Sequence, residues 1–173
     1  MSLSGKVAIV TGGGSGLGRA CSIRLAKDGA AVSVWDLNRE GADETVAIIT
    51  QQGGKAIACI GDATDKHVIA EHTSVTRTQL GPVQILVNNA GITATDPFED
   101  ISEDTLSRML HINVTGPFLC AQAVVADMKS AGWGRIINIS SSSAQTGAPN
   151  MTHYATSKGA VIAFTKALAR ELA

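Results

Sequence analysis

Short β-prone runs alternate along the chain with longer stretches in which apolar residues recur at helical spacing. Lys6 to Thr11 is one continuous β-prone run, as expected of a strand buried on both faces. The next stretch carries apolar residues at helical spacing and ends at Gly29, a helix-ending residue. The pattern predicts strands at residues 6–11, 30–37, 55–60, 85–87 and 135–140, and helices at residues 16–28, 39–52, 64–80, 101–128 (interrupted near Gly116-Pro117) and 151–173.

This strict alternation predicts βαβ units with right-handed crossovers and a parallel sheet, whose ligands bind beyond the carboxyl ends of the strands. The fifth strand carries Ile136, Ile137 and Ile139, which predicts burial on both of its faces. No sixth strand follows to cover its edge, and open edges promote misassembly. We therefore expect the chain to be an incomplete form of a longer domain.

Composition and charge narrow the class of protein. The chain has 173 residues, of which 45% are hydrophobic and 17% charged, and its net charge is -1. These values suit one globular domain over residues 1–173 and give no support for binding to nucleic acid or to an anionic membrane. The sequence contains no run of about 20 apolar residues, so no membrane span is predicted. The N-terminus lacks a signal-peptide pattern, so the expected location is cytoplasmic.

No metal site or disulfide framework is predicted. Cys21, Cys59 and Cys120 are widely separated, and no CxxC pair is present. The four histidines show no metal-ligand spacing. A structural role is favoured for all four, although His153, which precedes Tyr154, could instead face a substrate, because loop residues beside a site often determine specificity.

A glycine-rich segment, Thr11-Gly12-Gly13-Gly14-Ser15-Gly16-Leu17-Gly18, joins the first predicted strand to the first helix. Glycines allow close backbone approach, and the free N–H groups at a helix start favour a pyrophosphate. A tight turn without a ligand is the alternative. The strand–loop–helix context favours dinucleotide binding.

Asp36 ends the second predicted strand, where an acidic side chain can accept hydrogen bonds from adenosine ribose hydroxyls. Its charge would repel the additional phosphate of NADP, and neither Leu37 nor Ser15 offsets that charge. Arg39 keeps NADP open as an alternative. Asp36 could instead cap the second helix, a role that Asn38 could also fill. The charge pattern favours NAD.

Tyr154 is the only tyrosine, and Lys158 follows it at helical spacing, so both side chains share one helix face. A nearby ammonium group favours a phenolate, and such a tyrosine can exchange a proton with an alcohol oxygen. In isolation this pair is more typical of an exposed amphipathic surface. Here it follows the fifth strand, at the same sheet edge as the glycine-rich segment.

Together these residues resemble the short-chain dehydrogenase/reductase family along essentially the whole chain. The resemblance implies an α/β fold of the three-layer Rossmann type, with a doubly wound parallel sheet in strand order 3-2-1-4-5 and with the later strands missing. It also implies a homodimer or homotetramer formed through the last two long helices. The matching motifs are Thr11-Gly12-x-x-x-Gly16-x-Gly18, Gly61-Asp62, Asn88-Asn89-Ala90-Gly91, Asn113, the Ser140–Ser143 run and Tyr154-x-x-x-Lys158.

The resemblance implies a role for each matching residue. Tyr154 would be the general acid/base, Lys158 would hold the nicotinamide ribose, and Ser141 would bind the reacting oxygen, although a neighbouring serine could take that place. Asn113 would support a proton relay or bond to buried backbone, and Asn88 would brace the sheet. The implied cofactor-binding residues are Gly12, Ser15, Gly16, Leu17, Gly18, Asp36, Asp62, Ala63, Asn89, Ala90, Gly91, Tyr154 and Lys158.

The expected reaction is hydride transfer between NAD(H) and a secondary alcohol or ketone. One alternative is an NADPH-dependent reductase of 3-oxoacyl thioesters or other carbonyls. Another is a non-catalytic nucleotide-binding or scaffold protein, because the family's C-terminal part supplies two strands, part of the substrate lid and further nicotinamide contacts. A redox-sensing repressor has the least support, since no DNA-binding element is present.

Overall fold

The strands form one parallel sheet in the order β3-β2-β1-β4-β5, which confirms the predicted doubly wound α/β fold. The structure is a computed structural model that describes residues 2–173. The strands are β1 (Val7–Thr11), β2 (Ala31–Asp36), β3 (Ala56–Ile60), β4 (Ile85–Asn88) and β5 (Arg135–Asn138).

Helices follow the strands and pack on the sheet, as expected when each crossover returns the chain to a parallel neighbour. A short 3₁₀ turn at Phe98–Asp100 precedes the fourth helix, and a π-helical turn at His111–Thr115 lies between the fourth and fifth helices. The α-helices are α1 (Gly16–Lys27), α2 (Arg39–Gln51), α3 (Lys66–Gln79), α4 (Glu103–Leu110), α5 (Gly116–Ser130), α6 (Ser143–Thr146) and α7 (Thr152–Glu171).

Two hydrophobic clusters fill the two sides of the sheet, because neighbouring strand residues point to opposite faces. Ile9 belongs to the cluster that includes Val124 of α5, whereas Val10 belongs to the cluster that includes Ile49 of α2. All four side chains are buried. The unbroken apolar run of β1 therefore results from a core on each face.

The structure has an interruption near Gly116-Pro117, as the sequence predicts, because α5 begins at Gly116 directly after a π-helical turn. The helical stretch changes to the π form at His111–Thr115, and Pro117 lies in the first turn of α5. A proline is tolerated in a first turn because its missing N–H would have no intrahelical partner there. Asn113, at the centre of the π turn, is fully buried.

Strand β5 is less buried than predicted. It ends at Asn138, and Ile137 is 41% exposed. Ile136 and Ile139 pack against the two opposite clusters, so apolar contact on both sides of the sheet is present but partial. Within residues 2–173, β5 pairs only with β4, which leaves its other edge open.

The helical stretch Glu103–Ser130 is long and apolar enough, by length and composition, to cross a membrane, although the sequence predicts no such span. Its apolar character has another physical reason. One hydrophobic core cluster includes Cys120, Ala121, Val124 and Met128 of α5. Helices that pack in a protein core can be as long and as apolar as helices that cross a membrane. The stretch is therefore accounted for by packing on the sheet.

Asn88 joins three elements at the end of β4. Its Nδ2 donates to Asn138 Oδ1 of β5 over 2.8 Å and to the Pro117 carbonyl oxygen of α5 over 3.1 Å. Only the nitrogen of this buried amide is paired, because Asn88 Oδ1 has no hydrogen-bond partner among residues 2–173. This contact gives Asn88 the bracing role expected from the sequence.

Candidate functional site

A groove of about 420 Å³ runs along the carboxyl ends of the strands. The glycine-rich segment forms one wall, and the residues after β3 and β4 form much of the rest. This is the position at which parallel sheets bind ligands. The predicted cofactor-binding residues that line it are Gly12, Ser15, Gly16, Leu17, Asp36, Asp62, Ala63, Asn89, Ala90 and Gly91.

The glycine-rich segment presents the start of α1 to this groove. Gly12 and Gly16 have φ angles of 63° and 49°, a region that glycine enters without strain. Ser15 is the N-cap residue of α1, and its side chain makes no capping hydrogen bond with any residue from 2 to 173. The first N–H groups of α1 can therefore bind an anion such as a pyrophosphate.

Gly18 does not line the groove but allows the loop and α1 to pack together. A Cβ atom at this position would collide with the carbonyl oxygen of Gly12 and lie 2.6 Å from Asn89 Nδ2. Asn89 Nδ2 donates to the carbonyl oxygens of Thr11 and Gly12 over 3.0 and 3.2 Å. Asn89 thus braces the loop while also lining the groove.

Asp36 holds the glycine-rich segment from the end of β2. Its Oδ2 accepts a hydrogen bond from Gly14 N over 2.8 Å, and its Oδ1 accepts one from Asn38 N over 2.9 Å. The cap of α2 is Asn38, whose Oδ1 accepts from Gly41 N over 3.0 Å. The alternative that Asp36 caps α2 is therefore wrong, and its carboxylate is fixed at the groove.

Asp62 is exposed at the turn after β3. Its Oδ1 accepts hydrogen bonds from the N–H and the hydroxyl of Thr64, both over 2.8 Å. These contacts fix the turn and leave the other carboxylate oxygen without a partner among residues 2–173. The groove also contains residues outside the motifs, including Leu37, Arg108 and Ile112.

Helix α7 places Tyr154 and Lys158 on one face. Lys158 is 6% exposed, and its Nζ donates to the Ile139 carbonyl oxygen over 2.9 Å. The same Nζ lies 5.8 Å from the centroid of the Tyr154 ring. Burial lowers the pKa of Lys158. An ammonium group so placed can interact with a phenol and with a ligand hydroxyl.

Asn113 links the loop after β4 to α7. Its Oδ1 accepts from Ile92 N over 2.8 Å, while its Nδ2 donates to the Ile92 carbonyl oxygen over 2.9 Å and to Ser157 Oγ over 3.0 Å. Ser157 Oγ donates in turn to the carbonyl oxygen of Tyr154 over 2.7 Å. The amide therefore holds both the loop and the backbone at the tyrosine.

Gly91 lies where these groups converge. A Cβ atom at Gly91 would be 3.0 Å from Asn113 Oδ1 and 3.4 Å from Lys158 Nζ. The residues after β4, the π turn and α7 thus meet at one end of the groove. Lys158 and Tyr154 themselves are not part of the groove lining.

A family model described as short chain dehydrogenase matches residues 6–173. The chain belongs to the short-chain dehydrogenase family. It is 40% identical, over 171 residues, to a 2-dehydro-3-deoxy-L-rhamnonate dehydrogenase (NAD(+)) of a Sphingomonas species, covering 98% of this chain and 67% of that protein. It is 39% identical over 170 residues to an uncharacterized oxidoreductase of Thermotoga maritima, covering 98% of this chain and 66% of the relative.

Two solved structures of dehydrogenases resemble this one closely. An NAD+-bound xylitol dehydrogenase has a TM-score of 0.95 and 37% identity, covering 99% of this chain and 66% of that chain. A 7α-hydroxysteroid dehydrogenase complexed with NADH and 7-oxo glycochenodeoxycholic acid has a TM-score of 0.95 and 38% identity. The match covers 99% of this chain and 67% of that chain. This chain spans about two thirds of the length of the relatives it matches.

The serines of the Ser140–Ser143 run make different contacts. Ser140 Oγ donates to the Lys158 carbonyl oxygen over 2.9 Å and so braces α7. Ser141 Oγ accepts from both the hydroxyl and the N–H of Ser143, over 2.8 and 3.2 Å. The Ser141 hydroxyl hydrogen is therefore free to be donated. Of these two serines, Ser141 is the one whose hydroxyl hydrogen is not donated to any residue from 2 to 173.

The sequence motifs do not specify the partners of two residues beside Tyr154. Ser157 lies inside the Tyr154–Lys158 spacing, but its hydroxyl role depends on Asn113, which is distant in sequence. His153 is buried, with Nε2 3.3 Å from Asp96 Oδ2. Helical periodicity would indicate which side of α7 His153 occupies, but not its partner.

The three cysteines are free, and no group of metal-ligating side chains is found among residues 2–173. Burial raises the pKa of the Cys120 thiol to about 12 and also raises that of Cys59. Thiols with raised pKa values stay protonated near neutral pH and are poor nucleophiles. The chemistry of this site therefore depends on oxygen and nitrogen groups.

Substituting Lys158→Met is expected to change the pH dependence of stability. Burial lowers the pKa of Lys158 in the folded protein, so the unfolded chain binds more protons at pH values just below the usual lysine pKa of about 10.4. The stability of the parent should therefore rise with pH in that range, relative to Lys158→Met. Urea denaturation at a series of alkaline pH values measures this, with exposed Lys129→Met as control. Parallel curves for the parent and Lys158→Met would contradict it.

Substituting Gly18→Ala is expected to weaken binding of a dinucleotide and to lower stability, because the added Cβ would meet the Gly12 carbonyl oxygen and distort the loop. Gly159→Ala is the matched control, since a Cβ there meets no atom within 4 Å in the described part of the chain. Thermal unfolding and NADH titration measure both effects. Equal NADH affinity in the two variants would refute this role for Gly18.

Proposed function

We propose that this chain binds NAD in the groove and transfers a hydride between NAD(H) and a secondary alcohol or ketone. The observation that carries the proposal is the convergence of Gly91, Asn113 and the Lys158 ammonium group beside Tyr154 at one end of the groove. A cation and a phenol beside this groove suit proton exchange with a substrate oxygen.

The residues present fit a nicotinamide dinucleotide. The pyrophosphate would bind at the loop formed by Gly12 and Gly16, which have positive φ angles. The first N–H groups of α1, which have no side-chain cap, would donate hydrogen bonds to it. The residue after Ala90 is Gly91, where a Cβ atom would lie 3.4 Å from Lys158 Nζ, a donor for ribose hydroxyls. When bound, the dinucleotide would supply or accept the hydride.

The preference for NAD over NADP follows from charge. The Asp36 carboxylate is fixed at the groove by Gly14 N and Asn38 N, and its oxygens can each accept a further hydrogen bond from a ribose hydroxyl. A second phosphate there would meet this negative charge. Arg19 is engaged by Glu44 over 2.6 Å and by the Gly14 carbonyl oxygen, so it is not free to offset it.

The proton would be handled by the side chains at the first turns of α7. Tyr154 gives a proton to the substrate oxygen in reduction or removes it in oxidation. Lys158, held by the Ile139 carbonyl oxygen, stabilises the phenolate that forms on proton loss. Ser141, oriented by Ser143, donates its hydroxyl hydrogen to the same substrate oxygen.

The substrate class comes from the relatives. They are named as dehydrogenases of 2-dehydro-3-deoxy-L-rhamnonate and cyclopentanol and as a 5-keto-D-gluconate 5-reductase. These compounds share a secondary alcohol or a ketone. We therefore propose that class for this chain, with a panel of cyclic alcohols and sugar acids as the first substrates to test.

Tyr154→Phe is expected to reduce turnover by about two to four orders of magnitude, because it removes the proton donor. NADH affinity should remain close to that of the parent. Thr156→Val, which removes a hydroxyl from an exposed position on the same helix, is the control. Steady-state rates with the alcohol panel are the measurement, and near-parental turnover in Tyr154→Phe would overturn the assignment.

Asp36→Ala is expected to weaken the preference for NADH over NADPH, because the charge that repels the second phosphate is lost. Dissociation constants for both nucleotides, measured by fluorescence titration, test it. Asp43→Ala is the control, since Asp43 is an exposed carboxylate on α2 outside the groove. An unchanged ratio of the two constants would remove Asp36 from the cofactor-selecting role.

A second candidate function is dinucleotide binding without turnover. The observation that favours it is that Ser141, Tyr154 and Lys158 do not line the groove, whereas most of the proposed dinucleotide-binding residues do. In that case NADH would bind with the same Asp36 dependence, but none of the alcohols or ketones would be converted. The two candidates are therefore separated by turnover alone.

We also propose that the chain self-associates as a homodimer or homotetramer through α5 and α7. Phe118 of α5 is 45% exposed, and its ring packs against Phe164 of α7 with centroids 5.3 Å apart. Exposed aromatic side chains of this kind are common in interfaces between subunits. Sedimentation of the chain and of Phe118→Arg would test this assignment.

A further inference from the structure

His153 is a buried polar side chain that the proposed reaction does not use. It is 1% exposed, and neither ring nitrogen has an aligned hydrogen bond among residues 2–173. A buried polar group that is incompletely paired costs about 1 to 3 kcal/mol. An apolar residue would avoid this cost, so the imidazole needs a reason other than stability.

A carboxylate from another part of the fold lies close to this imidazole. Asp96 Oδ2 lies 3.3 Å from His153 Nε2, and the Asp96 side chain is partly open to solvent. Asp96 N also donates to the carbonyl oxygen of Asn150 over 2.8 Å. Asn150 precedes α7 and has a φ of 59°, a conformation rare for residues other than glycine. Two contacts from Asp96 thus converge on the start of α7.

The start of α7 needs such contacts because it has no cap of the usual kind. Met151 is the N-cap residue and makes no side-chain capping hydrogen bond with residues 2–173. Tyr154 lies in this first turn. Ser157, which is bonded to Asn113, donates to the Tyr154 carbonyl oxygen, and Asp96 contacts His153 in the turn and Asn150 before it. A carboxylate also interacts favourably with the positive end of a helix dipole.

The loop after β4 that contains Asp96 lines the groove with its first residues, Gly91 and Ile92. It passes from Gly91 through Ile92, which is bonded to Asn113, and reaches Asp96 at the start of α7. A shift of the loop at either contact would alter the distance between the groove and Tyr154. The His153–Asp96 contact is thus placed to set that distance.

We infer that the His153–Asp96 pair is a positioning contact that fixes the first turn of α7, and with it Tyr154, against the loop after β4. The inference rests on the proposed function for its effect on turnover. Neither residue touches the reacting atoms in this scheme. Their effect is on the location of the tyrosine, and a displacement of about 1 Å at a catalytic group can reduce the rate about 100-fold.

The single tyrosine makes its location directly measurable. A sample with isotope-labelled tyrosine gives NMR signals from the Tyr154 ring alone. We expect Asp96→Asn and His153→Phe each to shift or broaden these signals relative to the parent. Asp96→Glu keeps the carboxylate, so its signals should differ less from those of the parent. Asp100→Asn, in the same loop, and His67→Phe, at an exposed histidine, should leave them unchanged.

Turnover and stability provide the second readout. His153→Phe replaces an incompletely paired polar group with an apolar one, so its melting temperature should be maintained while kcat falls by about 10- to 100-fold. The dissociation constant for NADH should not change, because the glycine-rich segment is untouched. The Asp96→Asn/His153→Phe double variant should lose no more activity than either single variant, since both remove one contact.

The results separate this inference from the proposed function. Tyr154 ring signals identical to the parent's in both Asp96→Asn and His153→Phe would overturn the positioning role. Lack of turnover in the unsubstituted chain would instead remove the proposed function, and the ring signals would still decide the positioning role. If His153→Phe does not fold, Asp96→Asn, an isosteric change at a partly exposed side chain, provides the same test.

Discussion

The buried amide of Asn113 is the interaction on which the arrangement of the site depends. A buried amide has to be paired, and this one uses its oxygen and nitrogen to bind both backbone groups of Ile92 and the hydroxyl of Ser157. These hydrogen bonds fix the position of the loop after β4 relative to helix α7. The groove residues and the helix with Tyr154 and Lys158 can then act on the same ligand.

The sheet and the glycine-rich segment could be predicted because their signals are local. An apolar run such as Lys6–Thr11 and a glycine cluster directly after it define a strand, a turn and a helix start within a few residues. The charge of Asp36 likewise identifies a groove residue from its position at the end of β2. These features required only periodicity and residue type.

The contacts that join separate elements could not be predicted in the same way. Asn113 and Ser157 are 44 positions apart, and Asp36 reaches Gly14 across 22 positions. No pattern within either segment specifies its partner. The exposure of Ile137 could not be predicted either, because the sequence does not distinguish an apolar residue at the edge of a sheet from a core residue.

The π turn at His111–Thr115 limits the insertions and deletions that this region can tolerate. A π turn contains one residue more than the α-helical turn it replaces, so it changes the rotational phase between α4 and α5. Loss of one residue here would preserve the helix but rotate α4 by about 100° relative to α5. Met109 would leave the core and Arg108 the groove, so insertions and deletions should be tolerated far less here than in the exposed turns.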